Sequence, residues 1–350
     1  MEVILKRSSL FYKSFFALFL VVLTASCSSE KKEKPVKNGI DAEILNLQDS
    51  TLLFYSLTPP LDQIKGKEPE FYLEIETDSN GIFVKPLDLK EGYYYLEHDH
   101  VRSLYFIQKG KRLSLDFDAQ KPSEKPDFSG KLKYESRYLY DRYLAHAQFT
   151  AKQSTYYTYS ENEFVAEVTH VRGALDTSLV MYIANHPTGS PIFMEQESLT
   201  NLYFMAAYLE AYAVKRKSKD GQKIPLSEDY YQLLNQINVN DPRSINNPEF
   251  YQYIQNFVWA RAGEPKNSNA VISQIAFVDS VFTVQEYKDY LRFQAAREVG
   301  KWENTPNRKL MLDTLSGLIS DHEIKNYLIK NIQQDTASIP MVNQVILEDQ

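Results

Sequence analysis

The spacing of apolar residues changes once along this 350-residue chain, and that change constrains the fold more than any other feature. From residue 40 to residue 118, apolar residues alternate with polar ones or stand in short β-branched and aromatic runs, as in strands. Beyond residue 130 they recur every three or four positions, which is the spacing of amphipathic helices. The sequence therefore predicts an α+β fold in which a β-rich region precedes an all-α region.

The β-rich region, residues 40–118, is expected to form an N-terminal antiparallel β-sandwich-like domain. Its pattern predicts about seven short strands separated by turns, which is typical of a sandwich or an open barrel. Phe71–Thr77 and Ile82–Leu87 flank Asn80-Gly81, so these two strands are predicted to pair as a hairpin. A second hairpin is predicted to turn at Lys109-Gly110.

A linker of residues 119–130, with two prolines and a glycine, separates the two regions. Residues 131–338 are predicted to form an all-α helical domain of about seven helices, followed by a tail of residues 339–350. The ends of one helix are marked, because Pro248 favours a first helical turn and Gly263 favours a helix end.

Aromatic residues of the helical region are expected mainly in its core. Tyr203, Phe204, Tyr208 and Tyr212 recur at a spacing that suits one buried stripe of a helix. The histidines of the helical region are expected at the surface, because they lie on different predicted helices or beside predicted helix ends. Four are predicted at helix surfaces or helix ends: His146, His170, His186 and His322.

The first 26 residues have the three parts of an export signal. Lys6, Arg7 and Lys13 supply a positive flank, Phe15–Leu23 is apolar, and three small residues precede Cys27. The apolar run has nine residues, whereas a membrane-spanning helix needs about 20. We therefore expect a signal peptide over residues 1–26 rather than a permanent membrane span.

The end of this signal resembles the lipobox of bacterial lipoproteins, in which a large apolar residue and small residues precede a cysteine. Leu23 stands four positions before Cys27, one position further away than in the family's pattern. The resemblance implies cleavage before Cys27 and lipidation of its thiol. Residues 27–39 are too polar to form a core and are predicted to be a flexible tether. The open alternative is an ordinary signal peptide with an incidental cysteine.

The net charge argues against nucleic-acid binding, and the single cysteine excludes a disulfide within the chain. Cleavage would remove one acidic and three basic residues, which changes the formal net charge from −7 to −9. A net acidic protein is not expected to bind nucleic acid by bulk electrostatics. Since Cys27 is the only cysteine, no disulfide can form within the chain, and stability must come from apolar and aromatic packing. No cofactor is expected.

Three motifs resemble the N-terminal regions of Bacteroidota-type lipoproteins that continue into a thioredoxin-like domain of the TlpA or peroxiredoxin type. They are TDSNGIFVKPL, LYFIQKGKRLSLDFD and FSGKLKYESRYLYDRYL, and the resemblance covers residues 27 to about 340. In that family, activity resides in a Trp-Cys-x-x-Cys motif on the later domain. No such motif occurs up to Gln350, so the resemblance implies the β-rich and helical regions without thiol–disulfide exchange.

The function expected from these features is that of a membrane-anchored envelope lipoprotein acting as a non-catalytic binding or scaffold module. The chain lacks Gly-x-Ser-x-Gly, a phosphate-binding Gly-rich loop and His-Glu-x-x-His, which argues against an enzyme. The alternative is the N-terminal recognition region of a thioredoxin-like thiol–disulfide oxidoreductase whose catalytic domain is missing from this chain.

A third hypothesis is a metal-dependent hydrolase centred on His98 and His100. If the stretch EHDH is a strand, both imidazoles project from the same face and could bind one divalent ion. Structural zinc takes four ligands, however, and only two are visible on this face. The favoured interpretation is a polar strand end, with no metal site.

The segment STYYTYSENEF predicts a polar loop that carries Tyr156, Tyr157 and Tyr159. Tyrosine is enriched at interfaces because it supplies contact area at low entropic cost. We expect this loop to be open to a protein or glycan partner, in addition to the membrane that the lipid anchor would bind.

The residues after the cysteine bear on location. Ser28 follows Cys27, which resembles lipoproteins that are passed to the outer membrane of diderm bacteria. Lys31, Lys32 and Glu33 form a charged cluster like those that favour surface display in this group. The resemblance implies the cell envelope, with the outer membrane as the expected site and the periplasmic or surface face left open.

Overall fold

The computed structural model describes residues 39–46, 51–76, 82–86, 89–98, 101–121, 126–186, 189–216, 225–235, 237–303 and 306–333. Several features predicted from the sequence lie outside these residues: the signal segment 1–26, Cys27, tether residues 28–38, Asn80-Gly81, His100 and the tail 339–350. Among the residues that are described, no helix is both long and apolar enough to span a bilayer.

The β-rich region contains eight described strands in two four-stranded sheets. The strands are β1 Gly39–Leu45, β2 Thr51–Ser56, β3 Phe71–Glu76, β4 Ile82–Pro86, β5 Gly92–His98, β6 Val101–Ile107, β7 Arg112–Asp118 and β8 Asp127–Gly130. The first sheet has the order β4-β1-β7-β8, and the second has the order β3-β2-β5-β6. A short helix, α1 (Pro60–Ile64), lies between β2 and β3.

The prediction of a β region followed by helices is confirmed, whereas the purely antiparallel sandwich is not. In the first sheet β1 pairs in parallel with β7, from Gly39 opposite Arg112 to Leu45 opposite Asp118. The other described strand pairs are antiparallel. Alternating apolar residues identify a strand but not the direction of its neighbour, which explains this difference.

Both predicted hairpins are wrong, although the strands themselves are nearly where they were expected. β3 pairs with β2 in the second sheet, while β4 pairs with β1 in the first. Likewise, β6 and β7 belong to different sheets. A turn does form at Lys109-Gly110, where Gly110 has a φ of 77° and the Lys111 amide donates to the Gln108 carbonyl. It carries the chain from one sheet to the other.

The two sheets share one hydrophobic core, and this is why the chain crosses between them. Its buried members are Ile44, Leu52, Phe54, Leu89, Tyr94, Leu96, Tyr105, Ile107, Leu113, Leu115 and Leu132. The rings of Phe54 and Tyr94 stack at 5.3 Å within it. If β6 and β7 paired as a hairpin, both would lie in one sheet, and their apolar residues would need another sheet to cover them.

The predicted all-α character of the second region is confirmed. Its α-helices are α2 Lys133–Ala151, α3 Gln153–Tyr156, α4 Glu161–Asn185, α5 Pro191–Lys215, α6 Glu228–Asn235, α7 Pro248–Ala262, α8 Ser268–Val281, α9 Gln285–Gly300, α10 Pro306–Leu318 and α11 His322–Leu328. As predicted, α7 begins at Pro248 and ends before Gly263, which has a φ of 86°. Asn247 caps this helix by accepting from the amides of Glu249 and Phe250.

The long helix α5 forms the centre of the helical core. Tyr203, Phe204 and Tyr212 are buried in it, as predicted, and Tyr208 is half-buried against the same cluster. Helices α4 and α7 pack on either side of α5. Phe164 of α4 stacks on Tyr212 at 4.1 Å. Aromatic packing therefore supplies the stability that a disulfide-free chain needs.

Alanine substitutions at two glycines, one at the end of β8 and one in the middle of α4, test the backbone conformation at these positions. Gly130 has a φ of 74°, and an added Cβ would lie 2.9 Å from the Arg112 carbonyl oxygen. We expect Gly130→Ala to lower the free energy of unfolding by about 1–2 kcal/mol, because a side chain disfavours this backbone region. Gly173 has open space around it, so Gly173→Ala should raise stability by about 0.5–1 kcal/mol.

Urea unfolding of the two alanine variants beside the unchanged protein measures both effects. Equal unfolding midpoints for Gly130→Ala and the unchanged protein would contradict a requirement for glycine at this position.

Candidate functional site

The candidate site lies where the second sheet packs on the helices. The face of this sheet that is turned away from the shared core presents Phe106 of β6 and Tyr93 of β5 to α2, α4 and α5. The buried members of this junction are Phe106, Tyr138, Leu139, Leu179, Tyr182 and Phe193. Phe106 packs against Phe193 at 5.0 Å and against Tyr93 at 5.0 Å. Polar side chains occupy the edge of this apolar contact.

Glu197 of α5 is the most deeply buried charge of the junction, with 2% of its side chain exposed. The Tyr93 hydroxyl donates a hydrogen bond of 2.7 Å to Glu197 Oε1. On the other side, Arg142 Nε of α2 lies 3.0 Å from Glu197 Oε2, which makes an ion pair without the alignment of a hydrogen bond. One carboxylate therefore joins strand β5 to two helices.

A second carboxylate and an imidazole lie next to Arg142. Glu249 stands in the first turn of α7, and its Oε1 is 3.9 Å from His146 Nδ1. The His146 ring stacks on Phe204 at 3.7 Å, with an interplanar angle of 9°. Among the described residues, His146 Nε2 is buried without a hydrogen-bond partner. Arg142, His146, Glu197 and Glu249 are named here the junction cluster.

Neutral hydrogen bonds surround this cluster and fix the helices around it. Asn201 Nδ2 donates to the Tyr138 hydroxyl at 3.1 Å and to Asp176 Oδ1 at 3.2 Å, which links α5 to α2 and α4. Asn247, before α7, donates to the Thr200 hydroxyl at 3.0 Å. The junction cluster is therefore held by side chains from four helices and one strand.

Burial shifts the pKa values of the junction cluster away from their ordinary range. Burial raises the pKa of Glu197, while Arg142 and the Tyr93 hydrogen bond oppose that rise. Burial also raises the pKa of Glu249, with Arg142 lowering it and the nearby Glu197 raising it. For His146, burial and the charge of Arg142 both lower the pKa, which favours the neutral imidazole.

The exposure of these groups shows what they can do chemically. Side-chain exposure rises from 2% at Glu197 to 14% at Arg142 and 23% at Glu249. Only the outer two groups can therefore touch a molecule from solution without a change in packing. Glu197 has its oxygens turned to Tyr93 and Arg142, which suits a contact that holds the junction together.

His98, one of the two metal candidates, is the last residue of β5 and is buried. Its ring packs against Phe117 of β7 at 4.8 Å, which connects the two sheets. In the part of the chain that the structure describes, no group of three or more histidine, cysteine or carboxylate side chains could hold a metal ion. His100 lies outside that part, so the pair of His98 and His100 stays a prediction.

The segment with Tyr156, Tyr157 and Tyr159 is not the exposed loop that the sequence predicts. Tyr156 belongs to α3, is 1% exposed and stacks on Phe149 at 4.4 Å. Tyr157 and Tyr159 are half-buried against the helical core. Apolar packing of the rings outweighs the polar composition of their neighbours, and partner binding by Tyr157 and Tyr159 stays a prediction.

The prediction that His146 lies on a helix surface is wrong, and the other members of the junction cluster were not anticipated. The sequence contains one signal for them. Phe193, Glu197 and Asn201 recur every four residues on the buried face of α5, so two polar residues occupy a core stripe. Polar residues in a core stripe indicate a buried polar network, but the sequence does not show which residues they contact. His170 and His322 are exposed, as predicted, and His186 is half-buried at the end of α4.

No family model, curated protein or solved structure matches the chain at a significant level. The resemblance to lipoproteins of the TlpA type therefore stays a prediction from the motifs.

Removal of the Arg142 charge tests the junction cluster. We expect Arg142→Met to lower the free energy of unfolding by about 3–5 kcal/mol, because Glu197 would remain buried without its cation. Adding Glu197→Gln should restore part of the loss. The matched control is Arg172→Met, which breaks the more exposed pair of Arg172 and Asp176 and should cost less than about 1 kcal/mol.

Chemical unfolding of the four proteins provides the measurement. A loss for Arg142→Met no larger than that for Arg172→Met would show that Glu197 does not depend on the guanidinium.

The lowered pKa of His146 predicts a pH dependence of stability. In the unfolded chain an imidazole takes up a proton near its ordinary pKa of about 6.5, while folded His146 stays neutral to lower pH. Its contribution to stability is thus complete above about pH 6.5 and falls with decreasing pH by up to about 1.4 kcal/mol per pH unit. Glu197 and Glu249, with raised pKa values, act in the opposite sense, because their contribution is lost as pH rises.

His146→Phe keeps the ring stacked on Phe204 and removes the titrating nitrogen. Its stability should be close to that of the unchanged protein at about pH 8 and should fall less steeply between about pH 6.5 and pH 5. The measurement is the free energy of unfolding of both proteins at several pH values across this range. Parallel pH profiles for the two proteins would contradict a neutral His146 in the fold.

Proposed function

We propose that the protein is a membrane-anchored envelope lipoprotein that acts as a non-catalytic binding or scaffold module. Its thiol, Cys27, carries the lipid, and residues 28–38 connect the lipid to the first strand. The two sheets work as one β-sandwich-like unit that is docked on the helical region. The outer membrane is the proposed site, and a protein or a glycan is the proposed partner.

The observation that supports a scaffold is the way the junction cluster uses its charges. Glu197 directs both oxygens to groups of the protein itself, the Tyr93 hydroxyl and Arg142. A buried ionised carboxylate is unfavourable unless it is paired. Displacement of β5 or α2 would leave Glu197 without a partner and would therefore destabilise the fold. This arrangement favours a fixed relation between the sheets and the helices, which is what a rigid binding surface requires.

The lipid anchor is tested by the intact mass of the protein extracted from membranes. A mature chain that begins at Cys27 and is heavier by its acyl chains is the expected species. Cys27→Ala should lose both the added mass and the cleavage before residue 27. Ser28→Ala, at the neighbouring position, is the matched control and should be processed like the unchanged protein.

An unmodified chain with a free Cys27 thiol in the soluble fraction would overturn the proposed location. It would also return that thiol to the groups available for chemistry.

A further inference from the structure

The ends of several strands meet at one end of the β-rich region. β1 begins at Gly39 beside the start of β7 at Arg112, and β8 ends at Gly130 opposite Leu113. The amides of Lys131 and Leu132 both donate to the Arg112 carbonyl, which places the start of α2 at the same end. The tight turn after β6 joins the second sheet to it.

Cations are concentrated at this end, and we name it the basal surface. Its members are Lys90, Lys109, Lys111, Arg112, Lys131, Lys133 and Tyr134. Pairing of Gly92 with Ile107 brings the segment that contains Lys90 next to the turn that contains Lys109. Lys133 Nζ lies 4.7 Å from the centre of the Tyr134 ring, which is itself exposed. Six positive side chains of the described residues thus share this end of the β-rich region.

Of the described carboxylates at this end, Glu68 and Glu70 are exposed where β3 begins, on the far side of β2 from Lys90 and Lys109, whereas Glu91 and Glu135 lie among the cations and are directed into the protein. Glu91 accepts a hydrogen bond from the Ser190 hydroxyl. Glu135 is buried, accepts a hydrogen bond of 2.9 Å from the Tyr182 hydroxyl and lies 3.6 Å from Lys111 Nζ. Glu135 therefore neutralises Lys111 in part, whereas neither Glu91 nor Glu135 pairs with the exposed Lys90, Lys109 or Lys131.

At the opposite end of the β-rich region the described acidic side chains outnumber the basic ones, and one of the basic ones, Lys121, lies 4.0 Å from Asp118. Glu43, Asp116, Asp118 and Asp127 stand where β1 and β7 end and β8 begins. Strands of seven residues separate the two ends by about 23 Å, which is more than two Debye lengths at about 0.1 M salt. The β-rich region thus has a basic and an acidic end, although the whole chain is acidic.

Exposed apolar side chains lie beside the cations. The Tyr134 ring contacts His186, at the end of α4, with a centroid distance of 3.7 Å. Ile183, one turn before His186, and Ile192, two residues after Ser190, are exposed. Basic residues with an aromatic ring and aliphatic side chains between them are typical of surfaces that rest on lipid headgroups.

The chain reaches the folded region at this same surface. Residues 28–38 precede Gly39, and 11 residues span at most about 35–40 Å when fully extended. A lipid at Cys27 would therefore keep the basal surface within reach of the membrane.

We propose that the basal surface lies against the anionic headgroups of the bilayer that carries the lipid anchor. The inference rests on the proposed anchor for its proximity to the membrane, and on charge complementarity for its orientation. Each lysine near an anionic surface favours contact by about fivefold. Several lysines together suffice to orient a tethered protein, with the acidic end turned away from the membrane.

Lysine acetylation read by mass spectrometry tests the orientation. The full-length protein, extracted from membranes, is reconstituted in vesicles of phosphatidylcholine alone or of equal parts phosphatidylcholine and phosphatidylglycerol. Lys90, Lys109 and Lys131 should be modified several-fold more slowly on the anionic vesicles. Lys152, Lys266 and Lys309, exposed on the helical region, serve as internal controls and should be modified at equal rates on both.

Salt and matched variants complete the test. Raising the salt from about 0.1 M to about 1 M shortens the Debye length from about 10 Å to about 3 Å and should remove the protection. Replacing Lys90, Lys109 and Lys131 together by Gln should abolish the protection of Lys111 and Lys133, whereas Gln at the three control lysines should leave it intact. Both triple variants change the net charge equally.

The outcomes separate the two proposals. Equal modification of the basal lysines on both kinds of vesicle overturns the orientation, even if intact mass shows an acylated Cys27. Protection of the basal lysines in Cys27→Ala, mixed with the same anionic vesicles, supports the orientation even if the lipid is absent.

Discussion

The contact of Glu197 with Tyr93 and Arg142 is the interaction on which the arrangement of the molecule depends. These residues come from α5, β5 and α2, so a single carboxylate connects three elements. Apolar packing alone tolerates small shifts between a sheet and its helices. A buried charge does not, because a shift leaves it unpaired in a poorly solvated place. We interpret the junction cluster as the feature that selects one docking among several apolar ones.

Aromatic packing then extends from that junction in two directions. Toward the sheets, Tyr93 and Phe106 carry the contact to β5 and β6. Toward the helices, His146 and Phe204 continue it into the stripe of rings on α5. The helical core and the apolar junction beneath the second sheet thus both contact the junction cluster. A chain without disulfides obtains a single unit in this way, and the opposed charges at the ends of its β-rich region acquire a fixed direction relative to the helices.

The change in apolar spacing was sufficient to predict the β-rich and helical regions, the ends of α7 and the buried stripe at Tyr203, Phe204 and Tyr212. Strand pairing was not predictable, because turn residues such as Lys109-Gly110 describe a reversal of direction and not the sheet that the next strand joins. The junction cluster was equally hidden. Glu197 interrupts an apolar stripe, but its partners are 55 and 104 residues away in sequence and are brought close only by docking of the sheet.

The position of β1 inside its sheet has a mechanical consequence. The strand that follows the proposed tether, β1, is flanked by β4 and β7, so it is not an edge strand. Tension applied through Gly39 acts along β1 and across the hydrogen bonds on both of its sides, not in line with them. Those two ladders would then bear the load together in shear, and they could not be opened one bond at a time. A protein attached through its first strand, as the proposed lipid at Cys27 would attach this one, resists unfolding by a force applied at that attachment.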